Sequence, residues 1–357
     1  MAKTADIEST SSNVLVRFIL KYFGQFFGYM KRYFKEEFDW KYLTFLVLFL
    51  IGYIYWAYPD GHSAVYRSFK NDQMASLNNW WYRLETVIFA GKHIKDFGIF
   101  WYHVCLYGLP FSVAYGGYIV FRKRYDLLKN PGFWFLAIFA VFVFSLRQYI
   151  AYTLSYEGFH FGQFPRFTNR IIGDVLKMAA AMLPITVYWL WDRKHNKSPY
   201  GFTIKNFNLR PYFLILLVML PFVVGFGLTD HFTGYYPRGL KNLDYFFGFG
   251  VDPPQSSLLF YELIYGLDFV SIEYFFRGFL VLAFLKYVGP GSILPMAAFY
   301  VSIHFGKPMV ETISSFFGGG LLGILAFYSR SIWGGIVVHM GIAWLMELGA
   351  FVGKANS

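Results

Sequence analysis

Apolar runs of bilayer-crossing length recur along most of this chain. A transmembrane helix needs roughly 17–25 predominantly apolar residues. The segments 41–58, 99–121, 131–154, 171–192, 211–229, 257–286, 289–305, 309–329 and 332–351 approach that length. They predict an all-α, polytopic transmembrane helix bundle of about eight or nine spans. Residues 80–98 mix polar and apolar positions and predict a re-entrant or interfacial piece. Between Asn13 and Trp40 the residues Phe18, Leu20, Phe23, Phe26, Phe27, Met30 and Phe34 recur at helical spacing among Arg17, Lys21, Lys31, Arg32 and Lys35. That pattern predicts an amphipathic helix lying in the interface, with its lysines toward anionic headgroups; a helix packed on its own protein is the alternative. The chain then divides into a disordered tip plus this helix (1–40), an N-terminal transmembrane block (41–229), a Gly-, Pro- and Asp-containing loop (230–256) and a C-terminal transmembrane core (257–351).

Composition agrees with the pattern. Of 357 residues 56% are hydrophobic and only 15% charged, against about 25% charged in soluble domains. The 44 Phe and 29 Tyr suit lipid-facing surfaces and interfacial belts. The net charge of +11 comes from short basic clusters between apolar runs, which fits membrane topology rather than a nucleic-acid stripe. Arg122-Lys123-Arg124 with Lys129, and Arg193-Lys194 with Lys197, fall on one side with the basic N-terminal stretch. By the positive-inside rule the N-terminus is cytoplasmic, and the expected location is a bacterial inner membrane. The loop 59–98, also basic, fits this assignment poorly. Cys105 is the only cysteine, so no intrachain disulfide forms. No cofactor motif is present, and with no HExxH and no close His pair no metal site is expected.

Candidate chemistry lies in the last hundred residues. Glu273 and Arg277 stand one helical turn apart, His304 closes the next apolar run, and His339 sits within the last one. Ionisable residues inside a bilayer cost roughly 2.5–3.5 kcal/mol each on insertion scales and default to a functional hypothesis. A carboxylate with a neutral imidazole can deprotonate a water, and a second imidazole can stabilise the oxyanion formed at an amide carbonyl. The bland reading is a buried Glu273–Arg277 pair that ties helices together. Gly278 would let another helix approach closely. Asp268 is a further candidate base, Asp174 and Lys177 read as a compensated pair, and Arg147 as a residue reaching for the headgroups.

Residues 272–350 resemble the Abi/CPBP family, which comprises CAAX proteases and bacteriocin-processing intramembrane endopeptidases. The family motif Glu-Glu-x-x-x-Arg-Gly is matched by Glu273, Arg277 and Gly278, its Phe-x-x-x-His by Tyr300 and His304, and the His of its third motif by His339. The resemblance implies catalytic roles for Glu273, Arg277, His304 and His339, with a membrane protein or peptide as substrate. Two departures stand out. Ile272 occupies the place of the family's water-activating glutamate, and Ala343 the place of its Asn or Asp. Two readings therefore remain open: an intramembrane endopeptidase, or a non-catalytic relative acting as subunit or scaffold of a membrane complex. A transporter is a distant third, because no pair of broken helices recurs in the two halves. Membrane lipids are the expected surroundings.

Overall fold

The structure, a computed structural model, describes residues 24–58, 97–157, 165–205, 208–227, 229, 234–239 and 255–355. The tip, residues 80–96 of the segment 80–98, and most of the loops 59–98 and 230–256 lie outside the described residues. The remainder is helical, with no strand among the described residues. In chain order the helices are α1 (Gly24–Glu36), α2 (Trp40–Trp56), α3 (Phe97–Phe121), α4 (Pro131–Glu157), α5 (Pro165–Asp192) and α6 (Arg210–Gly227). They continue with α7 (Gln255–Glu273), α8 (Ile293–Ser302), α9 (Met309–Ser329) and α10 (Trp333–Ala355). Among the described residues six stretches are long and apolar enough to cross a membrane, or seven if α1 and α2, bent by 100°, form one span. This is roughly the number that the apolar runs predict.

Local chemistry sets the helix boundaries. Asp39 N-caps α2 by accepting from the Lys41 and Tyr42 amides at 2.9 and 3.1 Å, so the chain turns sharply between α1 and α2. Asn130 accepts from the Phe133 amide at 3.1 Å and precedes Pro131, which is preorganised for a first helical position. The apolar segments 257–286 and 289–305 merge into one continuous region, Ser256–Ser302. Within it α8 is only ten residues long, because Gly289, at φ +55°, and Pro290 turn the chain before it. Gly306, at φ +86°, and Pro308 stop it at the other end. Proline within α6, at Pro221, accompanies a shortened apolar helix there.

The centre of the bundle is the stretch that carries the family motifs. Two-thirds of its apolar window is buried, 67%, against 22% for α5, so α5 faces outward and Ser256–Ser302 is the hub. Beyond Glu273 the helix widens into π-type turns over Tyr274–Ala283, every residue of which is buried. Phe275 and Phe276 pack there against Phe144 of α4 and Phe299 of α8, with ring centroids 4.7–5.8 Å apart. Two buried tyrosines stitch neighbouring helices through their hydroxyls. Tyr42 donates to the Ala114 carbonyl at 2.9 Å and Tyr53 to the Leu106 carbonyl at 2.7 Å, fastening α2 to α3. On α1, Tyr33 is buried and Tyr29 stacks on Tyr328, while Phe27 and Phe34 are about half exposed. The helix therefore packs on its own protein along one face and keeps an apolar face outward.

The N-terminal block is fastened to the hub by ion pairs. Arg147 of α4, expected at the headgroups, is instead buried and grips both Asp268 oxygens at 2.6 and 2.7 Å. Lys177 lies 2.6 Å from Asp174, as its spacing predicts, and 3.0 Å from Asp268. Arg147 does not reach the interface because a carboxylate on α7 offers it a shorter, charge-assisted partner. Gly278 also departs from expectation. A Cβ there would meet the Tyr200 carbonyl oxygen at 2.8 Å, so it admits the backbone of a connecting loop rather than a helix.

Candidate active site

Three elements deliver the candidate residues to one place. Glu273 is the last residue of α7, Arg277 lies in the widened turns that follow, and His339 projects from α10. His304 lies just after α8. Glu273 Oε1 is 2.8 Å from Arg277 Nη1 and 3.0 Å from His339 Nδ1. His339 Nε2 is in turn 3.1 Å from the Tyr300 hydroxyl. The donor logic is self-consistent: the Tyr300 O–H donates to Nε2, so neutral His339 carries its proton on Nδ1 and donates it to Glu273. His304 Nδ1 donates to the Tyr300 carbonyl at 2.9 Å, and the His304 ring lies against that of Tyr300 with centroids 4.6 Å apart.

Tyr300 is thus the joint of the cluster. It appears in the sequence only as the aromatic of the second motif, yet it touches Arg277, His304 and His339. The Arg277 guanidinium carbon sits 4.3 Å from its ring centroid, a cation–π contact in a dry setting. Its hydroxyl and carbonyl each engage one histidine. Only the register of α8 against α10 reveals that bridging position.

The charged pair at the centre of the cluster is closed off, while the His339 side chain keeps 16% of its surface exposed. Glu273 is 0% exposed and Arg277 1%. Glu273 Oε2 and the three guanidinium nitrogens of Arg277 have no aligned hydrogen-bond partner among the described residues, so the pair is held by charge contact. Ile272 is buried within the main apolar core, and Ala343 packs with Tyr261 and Tyr265. Asp268 accepts from Arg147, Lys177 and Ser271, which makes it the centre of a separate network. Among the described residues no group of three or more His, Cys, Asp and Glu is placed to hold a metal ion.

Glycine makes this closeness possible. A Cβ at Gly335 on α10 would stand 2.1 Å from Glu273 Oε2, and one at Gly319 on α9 would stand 3.0 Å from the Tyr300 ring. Gly318, next to it, has nothing within 4 Å of its Cβ position. Gly335→Ala is expected to destabilise by about 1–3 kcal/mol through overpacking. Gly318→Ala should be neutral or stabilising by up to about 1 kcal/mol, the helix-propensity gain. Melting temperatures of the two purified variants in one detergent test this; equal shifts would mean that α10 does not approach Glu273 closely.

This arrangement of a paired Glu and Arg on one helix, with two histidines supplied by separate elements, coincides with a recognised sequence family. Residues 254–345 form an Rce1-like domain. The matching family is described as type II CAAX prenyl endopeptidase, Rce1-like, within the Abi/CPBP group. All four candidate residues fall inside the match. No curated protein and no solved structure matches the chain. The match covers about a quarter of the chain; with the apolar helices it supports an integral, multi-pass membrane protein whose C-terminal part is similar to CPBP-type intramembrane proteases.

Proposed function

We propose that this chain is a non-catalytic Rce1-like protein, a membrane scaffold or subunit whose Glu273–Arg277–His339–Tyr300 cluster locks α7, α8 and α10 in register. The observation that carries this reading is the sealed state of Glu273. Its Oε1 is engaged by Arg277 and His339 at 2.8 and 3.0 Å, and the residue has no exposed surface. A general base must come within hydrogen-bond reach of the water it activates. The neighbouring position, from which the resemblance implies water activation, carries the buried aliphatic Ile272. Ala343 cannot donate to an oxyanion, and loss of one such donor typically lowers rate about 10²–10³-fold.

The peptidase reading keeps one favourable observation. Glu273 Oε2 lacks a partner, and the histidines are held in defined tautomers, which is how a site that admits a water and a peptide carbonyl would be prepared. Comparing the membrane peptidomes of cells with the wild-type chain and with His304→Ala separates the two. The expected result is identical peptidomes at equal protein levels. An uncleaved precursor accumulating with His304→Ala, at normal protein level, would overturn the scaffold reading. The substrate would then be a membrane-associated peptide.

A further inference from the structure

A second polar site lies away from this cluster, where spans α3 and α4 meet at one end of the bundle. A cavity of about 540 Å³ opens there between the α1–α2 bend, the turn after α3 and the segment 287–289. Its charged lining is Glu37, Asp39, Arg122, Lys123 and Arg124, with Asp39 engaged by the Lys41 and Tyr42 amides at the start of α2. We propose that this cavity binds the phosphate of a glycerophospholipid headgroup, with Arg122 and Lys123 as the phosphate ligands.

The three basic residues are not equivalent. Arg124 is committed to the protein, with both Asp126 oxygens at 2.9 Å and the Tyr287 carbonyl at 2.9 Å. Arg122 is only loosely held. It lies 3.4 Å from Glu37 Oε2 and 3.4 Å from the Glu36 carbonyl, longer than the roughly 2.7–2.9 Å of a tight charge-assisted bond. Lys123 is exposed and makes no ion pair among the described residues. Its backbone stands at φ +53°, a left-handed conformation that L side chains rarely adopt. This is the left-handed C-cap of α3, in which the Lys123 and Arg124 amides donate to the Val120 and Ile119 carbonyls and so fix where the Lys123 side chain starts. Burial pushes the Glu37 carboxyl up to about 7 against the pull of Arg122 and Arg124, so near neutral pH it offsets only part of the positive charge.

A lipid is favoured over a soluble phosphate by what surrounds the cavity. Phe38, Trp40, Tyr125 and Leu128 are 44–63% exposed and flank the lining residues in sequence. Exposed aromatics at span ends form the interfacial belt at headgroup level. A headgroup there presents its phosphate to the basic pair and its acyl chains to the aromatic rim. This inference is independent of whether Glu273 performs chemistry.

The test titrates the delipidated full chain, in a neutral maltoside detergent, with dihexanoyl phosphatidylglycerol, dihexanoylglycerol and inorganic phosphate. Saturable binding is expected for the phospholipid, at least tenfold tighter than for either fragment. Lys123→Gln alone, and Arg122→Gln with Lys123→Gln, should weaken it progressively, to tenfold or more for the pair. Their melting temperatures without lipid should be unchanged. Equal binding of dihexanoylglycerol would reduce the site to an apolar surface, and equal binding of inorganic phosphate would make it a soluble-anion site; either overturns the proposal. Wild-type affinity in a folded Lys123→Gln, Arg122→Gln variant does the same. Should the double variant fail to fold, Lys123→Gln and the wild-type comparison still decide.

Discussion

Glu273→Gln is expected to destabilise the protein by about 3–5 kcal/mol, the usual consequence of removing one partner of a buried ion pair. Arg277 is 1% exposed and its nearest counter-charge is Glu273 Oε1 at 2.8 Å, so neutralising the carboxylate leaves a cation in hydrocarbon without compensation. The same change removes the anionic acceptor of His339 Nδ1 and loosens α10. The compensating experiment is Glu273→Leu with Arg277→Met. Replacing both charges by apolar groups of similar volume is often neutral or stabilising by about 1–4 kcal/mol. The double variant should therefore recover most of the loss, read as melting temperature and as yield of monodisperse protein. A Glu273→Gln protein that melts like wild type would remove the structural role assigned to the pair.

Asp268→Asn is expected to have an effect at least as large. Asp268 takes Arg147 at 2.6 and 2.7 Å, Lys177 at 3.0 Å and the Ser271 hydroxyl at 3.0 Å. Losing its charge strands Arg147, 4% exposed, and deprives Lys177 of one of two carboxylates. Because α4 and α5 are tied to α7 through these contacts, the variant should melt early and become sensitive to limited proteolysis. Asp174→Asn is the control: Lys177 keeps Asp268, so less than half the loss is expected. Arg147→Met with Asp268→Leu should recover much of the stability, since Lys177 then retains Asp174. Equal melting of Asp268→Asn and Asp174→Asn would show that Asp268 is not the hub of this network.

The sequence alone determined a good deal. Runs of apolar residues at bilayer length specify helices, because hydrocarbon leaves the backbone no other way to satisfy its hydrogen bonds. Charge spacing within one helix was equally legible: Glu273 with Arg277, and Asp174 with Lys177, are neighbours by helical geometry alone. Tertiary structure decided what spacing cannot encode. Arg147 and Asp268 are 121 positions apart and their pairing depends on how α4 meets α7. The bridging role of Tyr300 depends on the register of α8 against α10, and Gly278 on where a loop crosses. The widened turns after Glu273 carry no local signature, since their residues are the same aromatics and aliphatics that build ordinary α-helix. Hydrophobic patterning is a one-dimensional record of burial. Which buried polar group meets which is fixed only when separate helices pack, where the cost of an unpaired charge in hydrocarbon selects the partner.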